Sequence, residues 1–483
     1  MRLARVATLA LKGGVMNGRI EVIPSAQRLV KSLRDVGYDF VTAVADIIDN
    51  SVEARANTVW VDVVWEGEQS YVTIADNGNG MSLATLKEAM RFGSERDYEG
   101  DDLGKFGLGL KTASLSQCLR FTVATRNNPS RADINAYSWD VDHVAATNRW
   151  EILPVKTSEL REGVRQHLKD TTGAVVVWER LDRVLGYKRP DGESARRQIS
   201  AMCRELEDHL AMVFHRFLAG EVRGKRLAIY INENKITPWD PFARSEQNTK
   251  KLESKAFRLE GRVGKGDVVV EPFVLPHQSK FSSPEAFNRA SGPEKWNKQQ
   301  GFYIYRADRM IQSGGWSGLR ALDEHRKLAR VAISFGPKLD DEFKINVAKM
   351  RVSLPQSMRE LVAPAIAPAL TMAEDEYRQR ERKSEVSVGM SSNSQASGEL
   401  RDDTVPESTP SPSSRESSSL VAQPPSITSN HGLEASSVQL PDTSFTMEEL
   451  RRVGVLLRRH VRAPGEEHVL EQLLSRAATS LGV

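Results

Sequence analysis

Residues 384–445 cannot build a core, and this limits everything around them. The segment runs through "ESTPSPSSRESSSLVAQPPS", is dominated by Ser and Pro, and has one aromatic residue, Phe445. Such a stretch buries too little apolar surface to offset the entropy of ordering its backbone, so it reads as a disordered linker. A chain carrying it is not one globule. It is a folded body, a tether and whatever follows the tether. Order is expected again at "TMEELRRVGVLLRRHV". There Thr446 and Glu449 form a capping box, and Leu450, Val453, Leu457 and Val461 recur at helical spacing. Pro464-Gly465 stops that helix, and "EEHVLEQLLSRAATSL" carries a second apolar stripe. A hairpin of two such helices has little core of its own, so residues 446–483 are expected to dock on a partner or on another copy of the chain.

The chain has 483 residues, room for two or three domains. No apolar run is long enough to span a bilayer. "VATLAL" is too short for a signal-peptide core and no cleavage pattern follows it. Two cysteines, Cys118 and Cys203, make neither a disulfide framework nor a structural zinc site by themselves, so a reducing, cytoplasmic setting is expected and no membrane. The net charge of +3 is unevenly spread: the linker carries eight acids and two arginines, and residues 1–383 carry +8. A mildly basic body is compatible with nucleic acid without requiring it.

The body divides near residue 220. In residues 20–220, "TVWVDVVWEG" and "SYVTIADNG" read as adjacent strands, and "LRFTVATR", "INAYSWDVDHV", "RWEILPVK" and "GAVVVWERLD" as further strands. A long helical stretch, "ARRQISAMCRELEDHLAMVFHRFLAG", leads into a second α/β region, residues 221–383. That region takes in "LAIYINENKI", "GFYIYRADRMI", "VAISF" and a helix near 356–380.

Three motifs carry the chemistry. In "VTAVADIIDNSVEA", Val41, Val44, Ala45, Ile48 and Val52 share one helical face, and Asp46, Asp49, Asn50 and Glu53 share the other. Asp46 and Asn50 stand four apart and point the same way. A carboxylate beside a carboxamide suits a water and a hard cation such as Mg²⁺, and equally suits the solvated side of an amphipathic helix. In "DNGNGMS", Asn77-Gly78 reads as a hairpin turn. The same residues also read as a ligand floor: Asp76 accepts from an exocyclic amine, and Gly78 and Gly80 let a flat base approach. The following "MSLATLKEAMRFG" reads as a helix capped by Ser82. In "GDDLGKFGLGLKTAS", Gly104, Gly107 and Gly109 open a helix, an arrangement that offers free N–H groups to phosphate. It is not a Walker A ending, because Leu110 precedes Lys111. The polar stretch before it has the composition of a lid.

Taken in order, an acid and an Asn on one helix, Asp-x-Gly-x-Gly, a lid and a glycine loop resemble the GHKL ATPase superfamily, which includes gyrase B, the ninety-kilodalton heat-shock chaperone, sensor histidine kinases and MutL. The resemblance covers roughly residues 25–182. It implies an α/β fold: an N-terminal Bergerat sandwich, with a mixed sheet and helices on one face, followed by a transducer-like α/β domain. ATP and Mg²⁺ would be its ligands. Asp76 would bind the adenine amine, with Gly78, Gly80, Met81 and Thr172 around the base. Asn50 would hold Mg²⁺, and Asp46 would stand at the general-base position. Gly104, Lys105, Phe106, Gly107, Leu108, Gly109, Leu110 and Lys111 would wrap the phosphates. Two positions depart from the usual pattern: Asp46 stands where Glu is common, and Ala174 stands where Thr commonly follows the glycine. "GLGLKTAS", and "RLVKSLRDVGYDFVTAVADIIDNSVEA" throughout, look like prokaryotic MORC-like proteins, whose base position is also Asp. "FKINVAKMRVSLP" resembles the stretch that delivers a lysine to the γ-phosphate in gyrase B and MutL relatives, which makes Lys349 the candidate sensor.

The resemblance implies an ATPase working as a nucleotide-gated homodimeric clamp, with DNA as client, in a prokaryotic repair or antiviral-defence setting. Arg320, Arg326, Lys327 and Arg330 in "GLRALDEHRKLAR" are the candidate DNA contacts. The alternative is a catalytically slow, nucleotide-gated scaffold that recruits an effector protein through its C-terminal helices. A histidine kinase is disfavoured, because no phospho-acceptor histidine precedes the ATPase motifs.

Overall fold

The computed structural model describes residues 22–35, 37–93, 108–130, 133–184, 186, 189–345 and 352–392. The glycine-loop residues Gly104, Lys105, Phe106 and Gly107, the candidate sensor Lys349, most of the linker and the C-terminal helical pair lie outside the described residues. The described residues form one compact unit containing two mixed sheets.

The first sheet grows from apolar runs of strand length. In chain order the elements are α1 (Ala26–Arg34), α2 (Phe40–Glu53), β1 (Thr58–Val64), β2 (Tyr71–Asp76), α3 (Leu83–Met90), α4 (Gly109–Leu115), β3 (Arg120–Arg126) and β4 (Asn135–Asp140). They continue with α5 (Val141–Thr147), β5 (Leu153–Pro154), α6 (Glu162–Leu168), β6 (Gly173–Glu179), α7 (Glu193–Val213), α8 (His215–Leu218), β7 (Ala228–Ile231) and β8 (Asn234–Lys235). The strand order is β5-β4-β3-β6-β2-β1-β7-β8. All of these pairs are antiparallel except β1 with β7.

Burial alternates along β1, with Val59, Val61 and Val63 turned inward. The central strands β2, β3 and β6 are buried almost throughout, as expected where both faces are covered. One face carries the main core, where Val44 and Ile48 of α2, Leu206 and Leu210 of α7, and Leu115 of α4 meet Val59, Ile74 and Trp178 of the sheet. Helices do not keep wholly to that face. Val164 and Leu168 of α6 cover Ala124, Val175 and Val177 on the other.

"LAIYINENKI" belongs here and not with the second region. It forms β7 and β8, and β7 lies parallel to β1 in the register Thr58 to Ala228. Of "INAYSWDVDHV" only Asn135–Asp140 is strand. Asp140 then caps α5 by accepting from the N–H groups of Asp142 and His143.

The second sheet comprises β9 (Lys250–Lys251), β10 (Lys255–Gly261), β11 (Gly264–Val274), β12 (Gly301–Arg306), β13 (Arg309–Ser313) and β14 (Ala329–Phe335). Its order is β10-β11-β14-β12-β13, with β9 beside β11. The helices α9 (Pro284–Ala290) and α10 (Lys295–Lys298) lie in the connection before β12. The last helix, α11 (Gln356–Ser392), packs Met358, Val362, Ile366 and Ala369 on the core formed by Val268, Val270, Phe302 and Ile333. It runs beyond the 356–380 stretch expected from sequence. Among the described residues no helix is long and apolar enough to cross a membrane.

Candidate functional site

The site is organised by α2. Asp39 caps it by accepting from the Thr42 N–H at 2.8 Å, and the helix then buries twelve of its fourteen residues. The buried set includes Asp46 and Asp49, which a solvated helix face would have left in water. Only Asn50 is exposed, and Glu53 is half-buried. The hydrophilic side of this helix is therefore an interior polar surface.

Interior carboxylates need partners. The Tyr38 hydroxyl donates to Asp46 Oδ2 at 2.7 Å, and burial against that carboxylate pushes the phenol pKa up. Arg309, at the start of β13, places Nε 3.2 Å from Asp49. Asp46 Oδ2 also lies 3.6 Å from where a Cβ on Gly109 would stand, so the carboxylate borders the opening of α4.

One turn after Asp46 the same helix meets the end of β2. Ser51 donates to Asp76 Oδ2 at 3.0 Å, and the N–H groups of Gly78 and Ala174 donate to Asp76 Oδ1 at 2.9 and 3.3 Å. Burial raises the Asp76 pKa above the usual carboxylate value, and these three hydrogen bonds oppose that rise.

The stretch around Asp76 is a strand-to-helix connection, which excludes the hairpin reading. β2 ends at Asp76 and the chain enters α3, where Ser82 Oγ accepts from the Thr85 N–H at 3.1 Å. Asn77 turns its carboxamide back to the N–H groups of Asn57 and Thr58, at 3.1 and 3.0 Å. Gly78 and Gly80 first make room for the protein's own backbone. A Cβ on Gly78 would stand 2.7 Å from the Ala54 carbonyl. Gly80 has φ +63°, and a Cβ there would stand 2.0 Å from the Arg126 carbonyl. Thr125, fully buried on β3, accepts from the Met81 N–H at 2.9 Å and donates to the Gly173 carbonyl at 2.8 Å. Thr172 is half-buried just ahead of β6.

Leu108, Gly109 and Leu110 open α4. Lys111 turns its ammonium to the Ala89 carbonyl of α3, 2.9 Å away, and burial lowers its pKa to about 8. In this structure it ties α3 to α4. Tyr38, Ser51, Thr125 and Arg309 were not singled out from sequence. Ser51 sits inside the first motif, and its place one residue after Asn50 was the one local signal available.

The four cations chosen as DNA contacts do not form one face. Arg330 is wholly buried on β14, its guanidinium near the rings of Trp239, Trp296 and Tyr303, donating to the carbonyls of Pro241 and Ala290. It is structural and not a surface contact. Arg326 pairs with Glu374, Lys327 with Glu324 at 3.1 Å, and Arg320 lies over Trp316. The segment between Trp316 and β14 holds a single 3-10 turn, at Glu324–Arg326.

A buried acidic helix, a carboxylate at the end of a sheet strand and a glycine-led helix thus meet in one domain. Residues 38–173 match the family of histidine kinase-, DNA gyrase B- and HSP90-like ATPases. The domain built on them belongs to the GHKL superfamily and stands near its MutL-like members. The chain is 29% identical over 141 residues to a DNA mismatch repair protein MutL from Crocosphaera subtropica. That match takes in 28% of this chain and 24% of the MutL, so the chain spans about a quarter of its relative.

Proposed function

We propose that the protein binds and hydrolyses ATP and uses the nucleotide to close a dimeric clamp, with DNA as its client. The observation that carries this is the double attachment of α2. One helix presents Asp46 beside Gly109 and, through Ser51, braces Asp76. In this reading the base pocket and the hydrolytic carboxylate are both attached to one helix.

In this reading Asp76 accepts from the adenine amine, with Gly78, Gly80, Met81 and Thr172 around the base. The loop from Gly104 to Leu110 surrounds the phosphates. Asp46 orients and deprotonates the attacking water. Asn50, exposed one turn away, is the residue that would hold Mg²⁺, since a carboxamide oxygen suits a hard cation. The ion supplies charge neutralisation on the phosphates. Lys349 remains the candidate γ-phosphate sensor. The clamp on DNA rests on the MutL likeness and on fold analogy.

The test is ATP binding and turnover by the full chain, with Asp46→Ala alongside, and its mass with and without a non-hydrolysable ATP analogue. Turnover lost in Asp46→Ala together with an analogue-driven dimer supports the clamp. Binding and dimerisation without turnover favour the nucleotide-gated scaffold that recruits an effector. No binding overturns both.

A further inference from the structure

The second sheet sends one charged side chain into the acidic face of α2. Arg309 begins β13, directly after a two-residue turn in which Ala307 and Asp308 have φ of +47° and +67°. That turn is held firmly. Arg216 of α8 donates to Asp308 at 2.9 Å, and Arg306 pairs with buried Asp340 at 2.7 Å. The Arg309 guanidinium lies 5.9 Å from the Phe214 ring, so one of its sides is backed by an aromatic.

From there it reaches two carboxylates one helical turn apart. Nε lies 3.2 Å from Asp49, and Nη1 donates to the Met310 carbonyl at 3.2 Å. Nη2 is buried without a hydrogen-bond partner, 4.0 Å from Asp46 Oδ1. A buried N–H of a charged group left without an acceptor carries a desolvation cost, which the opposite charge of Asp46 beside it offsets in part. The opposite oxygen, Oδ2, is already taken by Tyr38 and borders α4. Tyr38 and Arg309 therefore bracket the Asp46 carboxylate from its two ends. The shorter Asp side chain makes this bracket consequential, because it leaves less reach to correct a misaligned oxygen.

We propose that Arg309 is a positioning residue for Asp46: the second sheet orients the hydrolytic carboxylate through this guanidinium, so turnover in the first domain depends on where the second sheet sits. The inference rests on the reading of Asp46 as the general base. It assigns Arg309 no contact with nucleotide, so binding and hydrolysis respond differently to its loss.

The experiment uses the full chain as parent, Arg309→Met, Arg309→Lys and Asp46→Asn, measuring ATP affinity, turnover and melting midpoint for each. The expected result for Arg309→Met is turnover down by about 10- to 100-fold with affinity within about 3-fold of the parent. Arg309→Lys keeps the charge without the planar fork and recovers part of the rate. If Asp46→Asn is inactive while Arg309→Met turns over like the parent, the Arg309 inference fails and the Asp46 reading stands. If Asp46→Asn turns over like the parent, both fail. Should Arg309→Met not fold, Arg309→Lys decides: parental turnover overturns the inference, and reduced turnover at parental affinity supports it.

Discussion

Ser51 and Asp76 are joined by a 3.0 Å hydrogen bond that ties the last turn of α2 to the end of β2. The bond crosses from helix to sheet at the point where the strand gives way to the loop. It makes the Asp76 carboxylate part of the packing of α2 as well as a candidate ligand group.

Asp76→Asn is expected to abolish ATP binding without weakening the fold. Burial raises the Asp76 pKa above its unfolded value. Such a group contributes most to stability below the unfolded aspartate value, and that contribution is lost as pH rises through the raised folded value. Asparagine carries no such loss and can still accept from the N–H groups of Gly78 and Ala174. The variant should therefore melt no lower than the parent at neutral pH, with its relative advantage shrinking as pH falls through the raised folded value and levelling off by about pH 4. Calorimetry across pH, with nucleotide titration, checks both halves. An Asp76→Asn chain that binds ATP like the parent removes the adenine assignment.

Gly80→Ala should cost both stability and binding. The positive φ alone disfavours a side chain by roughly 1–3 kcal/mol. The Cβ would also meet the Arg126 carbonyl at 2.0 Å, so the loop must shift away from β3. Urea unfolding and ATP titration read the two effects, and an unchanged urea midpoint would contradict the packing described for this loop.

Arg330→Ala should destabilise the second sheet by roughly 2–5 kcal/mol, through the cavity it opens and the carbonyls it leaves unpaired. Lys327→Ala, a half-exposed position, should change stability by less than about 0.5 kcal/mol. Denaturant midpoints separate the two, and equal small effects would argue against a structural Arg330.

Lys111 should make stability pH-dependent. Its folded pKa is depressed to about 8 by burial. The contribution of such a group is fully present above the unfolded lysine value and is lost as pH falls through the folded value. Relative to the parent, Lys111→Met should therefore gain stability as pH is lowered from about 10 to about 7. A pH-independent difference between the two proteins would mean the ammonium is solvated.

Much of this site was legible from sequence, for local reasons. The helical period of Val41 to Val52 placed α2, Ser82 announced the start of α3, and apolar runs marked β1, β2, β3 and β6. What stayed hidden depends on contacts remote in the chain. The burial of Asp46 and Asp49 left no local mark, because their cover includes Arg309, which lies 260 residues beyond Asp49. β7 read as part of the second region because its partner is β1, reached by a parallel crossover that leaves no local mark. Arg330 read as a surface cation because the three rings around it come from separate segments.

The return of β7 to β1 also says how the protein can be taken apart. The chain leaves the first sheet along α7, comes back to add β7 and β8, and only then starts the second sheet. The two sheets follow one another along the chain, but the first is finished only after the long helix, by strands that lie beyond it. A fragment ended at residue 220 would strip β1 of its outer neighbour and bare a row of unpaired backbone groups, inviting aggregation. A fragment that keeps β8, ending beyond Lys235, leaves the sheet with the edge it has in the whole chain.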